Sequence, residues 1–199
     1  MNIPGSNRRS LLAVFAHPDD EACGPAGTLA RYASEGAQVT LVCLTRGGAG
    51  GLPEVRAEEI AGSAKVLGVH LELWDYPDGD LIYVNAWEIV KRVVGVIRHF
   101  QPQVILTFGT SQITEHPDHV MVGWLTTLAF EMAGGCVRWS GTLPRYAPTK
   151  LYFAIDPETA QRLAPCCLSV VNVAPYLSQR LAALDCHQSQ RFCVEAFLR

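Results

Sequence analysis

Two short segments hold the residues able to do chemistry. The first is Ala16-His17-Pro18-Asp19-Asp20-Glu21, an imidazole followed by three consecutive carboxylates. Carboxylates packed this closely repel one another and are costly to bring into a cleft, and a divalent cation would offset that repulsion. His17 and Asp20 lie three apart, so a tight turn can bring both onto one cation. Asp19 then points elsewhere, because adjacent side chains diverge, and its free carboxylate can take a proton from water activated by the cation. A helix start is the competing reading, since acidic residues favour a first turn and cap free amides. It accounts for Asp19 to Glu21 but not for His17. The second segment is His116-Pro117-Asp118-His119. A His17, Asp20 and His119 set would leave coordination positions open for water, as in catalytic rather than structural zinc sites. Nitrogen and carboxylate ligands suit Zn2+, with Fe2+, Co2+ or Mn2+ as substitutes. His116 would lie close without being a ligand, donating a hydrogen bond to an oxyanion or a proton to a leaving amine.

The surrounding pattern would bring these segments together. Leu11 to Ala16 is a continuous apolar run, the pattern of a strand covered on both faces. A helix is expected from about Gly27 to Glu35, a strand over Val39 to Leu44, a helix over Pro53 to Leu67 and a strand over Leu71 to Trp74. Asn85 to Phe100 has helical periodicity, Val104 to Phe108 reads as a fourth strand, and an apolar helix runs from the second motif to about Gly134. Leu151 to Ile155 and Val170 to Val173 are read as further strands and Pro175 to Ser189 as a last helix. The alternation predicts an α/β fold, a Rossmann-like three-layer domain with a mostly parallel sheet and right-handed crossovers. With no internal repeat or linker, residues 1–199 read as one domain. In a doubly wound order the first and fourth strands are neighbours at the switch point, where ligands bind beyond the carboxyl ends. That places His119 near His17 and Asp20. Gly134 to Pro148 reads as the loosest stretch, a loop near the site.

Composition narrows the partners. Of the residues, 49% are hydrophobic and 18% charged, which excludes a disordered chain. The net charge of −3 comes with no Lys/Arg cluster, so nucleic acid is not expected as a partner. No apolar run is long enough to span a membrane, and Met1 to Ser10 lacks the apolar segment of a signal peptide. The seven cysteines form no Cys-x-x-Cys pair, and an odd count points to a reducing cytoplasm. Cys23 reads as a packing residue. Exposed Trp124 or Trp139 could mark a homo-oligomer interface. No Gly-x-Gly-x-x-Gly follows the first strand, which argues against dinucleotide binding.

The two His-Pro-Asp motifs, in this order, resemble the LmbE-like, or PIG-L, family of zinc-dependent N-acetylglucosaminyl deacetylases. Thr45-Arg46-Gly47, Arg56-Ala57-Glu58-Glu59 leading to Leu67-Gly68-Val69, Pro77-Asp78-Gly79 and His187-Gln188-Ser189-Gln190 support the resemblance across most of the chain. It implies metal binding by His17, Asp20 and His119, with Asp19 as general base and His116 acting on the tetrahedral intermediate or the departing amine. It implies that Asp78 sits behind His116, holding its charged form and raising its pKa, that Arg56 binds substrate hydroxyls, and that His187 lines the pocket rim. Without the resemblance, Asp78 reads as a turn residue, Arg56 as a solvated helix face and His187 as a helix-surface residue. Three departures stand out. Gly48 occupies a position where the family often has glutamate. Thr114 stands where some sugar-thiol members carry a phenol. The chain ends soon after Gln190, so C-terminal specificity elements of many members are expected to be missing.

The implied activity is hydrolysis of the N-acetyl group of an N-acetylglucosamine-type amino sugar or conjugate, releasing acetate and a free amine. The alternatives are an amidase acting on a sugar-thiol conjugate or another small amide, and a sugar-binding relative with a vestigial site. A binder has no need of Asp19.

Overall fold

In a computed structural model, residues 9–109, 116–135 and 143–191 are described. Five strands, β1 (Ser10–Phe15), β2 (Gln38–Thr45), β3 (His70–Tyr76), β4 (Val104–Phe108) and β5 (Lys150–Ala154), form one sheet in the order β3-β2-β1-β4-β5. Every pairing is parallel. Strands buried on both faces need no polar alternation, which is why Leu11 to Phe15 and Val39 to Leu44 are largely apolar and lie in the core.

The helices are α1 (Asp20–Cys23), α2 (Ala26–Ser34), α3 (Pro53–Leu67), α4 (Ala86–Phe100), α5 (Pro117–Ala133), α6 (Pro157–Arg162) and α7 (Leu177–Cys186). The chain first moves from β1 through β2 to β3, then returns to β4 beside β1 and moves outward to β5. Right-handed crossovers therefore place α2 and α3 on one face and α4 and α5 on the other. α7 packs on α2 and α3, while α4 packs on α5. The reversal of direction falls between β1 and β4, whose carboxyl ends lead into His17 and His116.

The expected alternation of strands and helices is present, and α3 has the bounds read from Pro53 and Gly68. Val170 to Val173 is not a strand. Its β-branched residues are not carried to a sheet edge: Val173 lies against Gly27 of α2, in the helical layer, and Val170 is exposed. The final helix is shorter than expected, because Ala174–Tyr176 forms a 3-10 turn and the helix stops at Cys186. His187 to Gln190 then turns back toward the site. Trp124 is exposed on α5; Trp139, Thr114 and much of the stretch from Gly134 to Pro148, expected to be loose, lie outside the described residues. No described helix is long and apolar enough to cross a membrane.

The placement of α5 depends on a close approach to β4. A Cβ added at Gly123 would lie 2.7 Å from the Phe108 carbonyl oxygen. Gly123→Ala should push the helix away from the strand at a cost of about 1–3 kcal/mol, read as a lower urea midpoint. Because His119 is one turn earlier on the same helix, a variant with unchanged stability would show that helix and strand are not locked at this point.

Candidate metal-centred active site

His17 leaves β1 in the crevice beside β4 and is buried. Pro18 and the left-handed backbone of Asp19 (φ 118°, ψ −24°) turn the chain sharply into α1. A non-glycine residue in this region costs about 1–3 kcal/mol, so other contacts must hold it. Glu21 Oε2 accepts from the Asp19 amide at 3.1 Å, and the Asp19 carbonyl accepts from the amides of Ala22 and Cys23. Asp20 Oδ2 accepts from the Ala16 and His17 amides at 3.1 and 2.7 Å, which fixes that carboxylate inside its own turn.

On the other side of the crevice Pro117 occupies the first position of α5, and His116 caps the helix, its Nδ1 accepting from the Asp118 amide at 3.2 Å. That hydrogen bond leaves the His116 proton on Nε2. His119 stacks on Phe108, with ring centroids 4.0 Å apart at 11°. Its Nε2 lies 3.1 Å from His17 Nδ1 and 3.1 Å from Asp20 Oδ1. The ring centroids of His17 and His116 are 4.6 Å apart. The two segments expected to meet do so.

The opposite edge of the His17 ring also faces carboxylates. Nε2 is 2.9 Å from Asp78 Oδ1 and 3.1 Å from Asp118 Oδ2. Asp118 is fully buried and also accepts from the Gly79 and Leu81 amides at 2.8 and 3.1 Å. Asp78 accepts from the Ala49 amide at 2.8 Å. Sequence reasoning gives Asp118 no role, because at the second position of a helix a carboxylate looks like an ordinary first-turn acid. Its place between two histidines is the available signal.

Three expectations are corrected. Asp78 stands behind His17, not His116, because the Pro77-Asp78-Gly79 turn is tied to the glycine-rich loop through Ala49 and faces β1. The His116 pKa is correspondingly lowered, by burial and by the neighbouring His17 and His119 rings, not raised. Arg56 is not on a solvated helix face but is 4% exposed. Its guanidinium donates to the carbonyls of Gly47 (3.0 Å) and Pro18 and approaches Asp19 Oδ2 at 3.2 Å. The glycine-rich loop wraps this group. A Cβ at Gly47, whose φ is +70°, would lie 2.3 Å from Arg56 Nη1, and one at Gly50 would lie 2.7 Å away. His187 does not line a rim but is 1% exposed, with Nε2 2.7 Å from Glu21 Oε1. Its burial follows from the early end of α7, which turns the ring inward.

The electrostatics centre on His17. Burial alone would discharge the ring, but hydrogen bonding to Asp78 and the charges of Asp20 and Asp78, with a further hydrogen bond to Asp118, raise its pKa to about 9. Asp78 is lowered to about 2: burial opposes its ionisation, and His17 outweighs burial. Asp20, likewise disfavoured by burial, is lowered by His119 and His17. Asp19 is raised to about 7 by burial and by the Asp20 charge, against the pull of Arg56. It is also more open than the other aspartates of the cluster, with a side chain 17% exposed against 8% for Asp20 and Asp78.

These residues fit a divalent cation. Ring nitrogens of His17, His116 and His119 lie within 4.8 Å of one another, as do ligand atoms of His17, Asp78 and Asp118. Bonds of about 2.0–2.1 Å in a tetrahedral zinc site set neighbouring ligand atoms about 3.3 Å apart, close to the 3.1 Å that separates His119 Nε2 from both His17 Nδ1 and Asp20 Oδ1. Carboxylates on both edges of the His17 ring favour positive charge at this point. An imidazole whose far nitrogen donates to a carboxylate is the common arrangement for a metal-binding histidine. Asp118→Asn should therefore weaken zinc binding about 10–100-fold in competition with a chelator, and unchanged affinity would remove Asp118 from the site.

The His187–Glu21 pair gives a pH dependence. Burial opposes charging of His187, and the hydrogen bond to Glu21 outweighs it, so the folded pKa lies above 6.5. Its stabilisation is complete below the unfolded value of 6.5 and is lost as pH rises through the folded value. The stability difference between the wild-type protein and His187→Gln should shrink over that rise in urea titrations; a difference that grew with pH would contradict the pairing.

Known proteins share this outline. The profile of the PIG-L family, GlcNAc-PI de-N-acetylase, matches residues 12–130, more than half of the chain. A 1D-myo-inositol 2-acetamido-2-deoxy-alpha-D-glucopyranoside deacetylase of Catenulispora acidiphila is 30% identical over 227 residues, covering 96% of this chain and 74% of that protein. Mycothiol S-conjugate amidase of Streptomyces coelicolor is 34% identical over 176 residues, covering 72% of this chain but only 59% of the amidase. The crystal structure of a conserved protein of Thermus thermophilus superposes with a TM-score of 0.78 at 30% identity, covering 94% of this chain and 84% of that one.

Proposed function

Because the chain belongs to the PIG-L family, we propose that it is a metal-dependent hydrolase that removes the N-acetyl group from an N-acetylglucosamine-type amino sugar or its conjugate. The products are acetate and a free amine. The observation that carries this reading is Asp19, a partly open carboxylate with a pKa of about 7 beside the convergence of His17, Asp20 and His119. A group that titrates near neutrality serves as a general base and then as an acid.

His17 Nδ1, Asp20 Oδ1 and His119 Nε2 would hold the ion, with zinc suited to this donor set and Fe2+, Co2+ or Mn2+ as substitutes. A divalent cation supplies Lewis acidity there, polarising the acetamide carbonyl and lowering the pKa of water from about 15.7 toward about 7. Asp19 takes the proton of the attacking water and passes it to the departing amine. Arg56 keeps that carboxylate aimed into the crevice. His116, neutral and with its proton on Nε2, donates a hydrogen bond to the oxyanion as the acetamide carbon becomes tetrahedral. Asp78 and Asp118 hold the His17 ring in place.

A small-molecule amino sugar is thus the partner. Among the described residues Cys43 and Cys186 are free thiols, which supports a reducing, cytoplasmic setting. The similarity to a mycothiol S-conjugate amidase favours, as a second reading, cleavage of the amide of a sugar-thiol conjugate by the same residues.

The test is a free-amine assay of zinc-loaded protein on a panel of N-acetylglucosamine conjugates, with acetate and other acyl products quantified separately. Acetate release supports the deacetylase, and another acyl product supports the amidase. Asp19→Asn should keep its zinc and lose about 10²–10⁴-fold in turnover, whereas His119→Ala should lose zinc by elemental analysis. Near-normal turnover in the first or full zinc content in the second would refute the corresponding role.

A further inference from the structure

We propose that the buried Glu21–His187 pair is a positioning device for Asp19, linking the His187-to-Gln190 segment to the proposed base. The inference rests on the hydrolase reading for its catalytic consequence and on geometry for its contacts.

Glu21 is 1% exposed, and both its oxygens are engaged. Oε1 accepts from Ser63 Oγ at 2.6 Å and meets His187 Nε2 at 2.7 Å. Oε2 accepts from the Asp19 amide at 3.1 Å. A buried ionisable pair is an expensive way to fill space, since well-packed apolar residues of similar size commonly serve as well or better. What an apolar pair could not do is accept the amide of a residue held in a left-handed conformation.

The start of α1 shows what this contact makes available. An aspartate at a helix N-cap ordinarily spends its carboxylate on the free amides of the first turn. Asp19 is the N-cap of α1 and makes no such side-chain bond. Glu21 grips the turn from inside, so the Asp19 carboxylate is left partly open and facing Arg56. The segment that supplies His187 is itself fastened twice more. Ser189 donates from its amide and its Oγ to Glu59 of α3 at 2.7 and 2.6 Å, and Gln190 Nε2 donates to the Gly50 carbonyl at 3.0 Å. One short segment therefore braces the turn that carries the base, the helix that carries Arg56 and the loop that wraps it.

The test replaces the pair with an apolar one of similar size, Glu21→Met with His187→Leu, in the full chain loaded with zinc. Amide hydrogen exchange at Asp19 should quicken at least tenfold, while exchange at Leu12 and Leu41 in the sheet stays unchanged. Turnover should fall at least tenfold with KM and zinc stoichiometry preserved. In an Asp19→Asn background the same replacement should cost less than twofold further, because the pair acts through Asp19. Unaltered Asp19 exchange, preserved turnover, loss of zinc, or a loss that adds fully to that of Asp19→Asn would each overturn the proposal. The exchange measurement needs no substrate, so it decides the contact even if every conjugate in the panel fails to react. Should the double replacement not fold, Ser63→Ala, which removes one donor to Glu21, gives a smaller change in the same direction in both exchange and turnover, and no change in either would overturn the proposal.

Discussion

The ring of His17 is gripped from both edges. Asp20 and His119 face its Nδ1, and Asp78 and Asp118 face its Nε2. Three carboxylates would not gather around one ring in a dry crevice without positive charge to balance them. The sheet order serves this requirement, because only the reversal between β1 and β4 brings the two His-Pro-Asp turns to one crevice. The Pro77-Asp78-Gly79 turn, the glycine-rich loop and the start of α5 are then joined through the carboxylates they share, since Asp118 binds Gly79 and Leu81, and Asp78 binds Ala49.

Around that centre the polar groups divide by depth. Asp118, Glu21, Arg56 and His187 are buried and bond other protein groups, although Arg56 Nε and His187 Nδ1 find no partner among the described residues. Asp19 and His119 are partly open, and His116 is exposed. Groups that hold geometry are thus kept from solvent, and groups that could meet a substrate lie at the mouth. A buried polar network rigidifies only when its members are satisfied. The carboxylates of Glu21, Asp78 and Asp118 meet that condition, each bonding at least one backbone amide and one histidine ring.

Much of the fold was legible because periodicity and punctuation report local structure directly. Pro53 and Gly68 bracket α3, and the apolar runs mark strands covered on both faces. Val170 to Val173 misled because β-branched residues describe a willingness to pair, while pairing also needs a free edge at the right place. In the site, the spacing of His17 and Asp20 and the echo in His116 to His119 identified which segments meet. The partners of Asp78, Arg56 and His187 could not be read in the same way. Each depends on how deeply a side chain is carried into the fold, and a charged residue looks the same in sequence whether it faces water or a buried carbonyl. Asp118 was hidden by a local explanation that was sufficient without being complete.

The guanidinium of Arg56 has a consequence for how this chain can vary. Gly50 has no unusual backbone dihedral to require glycine. What forbids a side chain there is the arginine beneath it, 2.7 Å from where a Cβ would stand. Position 50 is therefore small on account of position 56, and its freedom to change is conditional: related chains with a shorter residue in place of Arg56 can admit bulk at 50, whereas those that keep the arginine should keep the loop bare. Gly47 is doubly restricted, by the same arginine and by its own positive φ, so it should stay glycine in both groups. The two loop positions record different constraints in the same letter, and a comparison of many relatives would separate them.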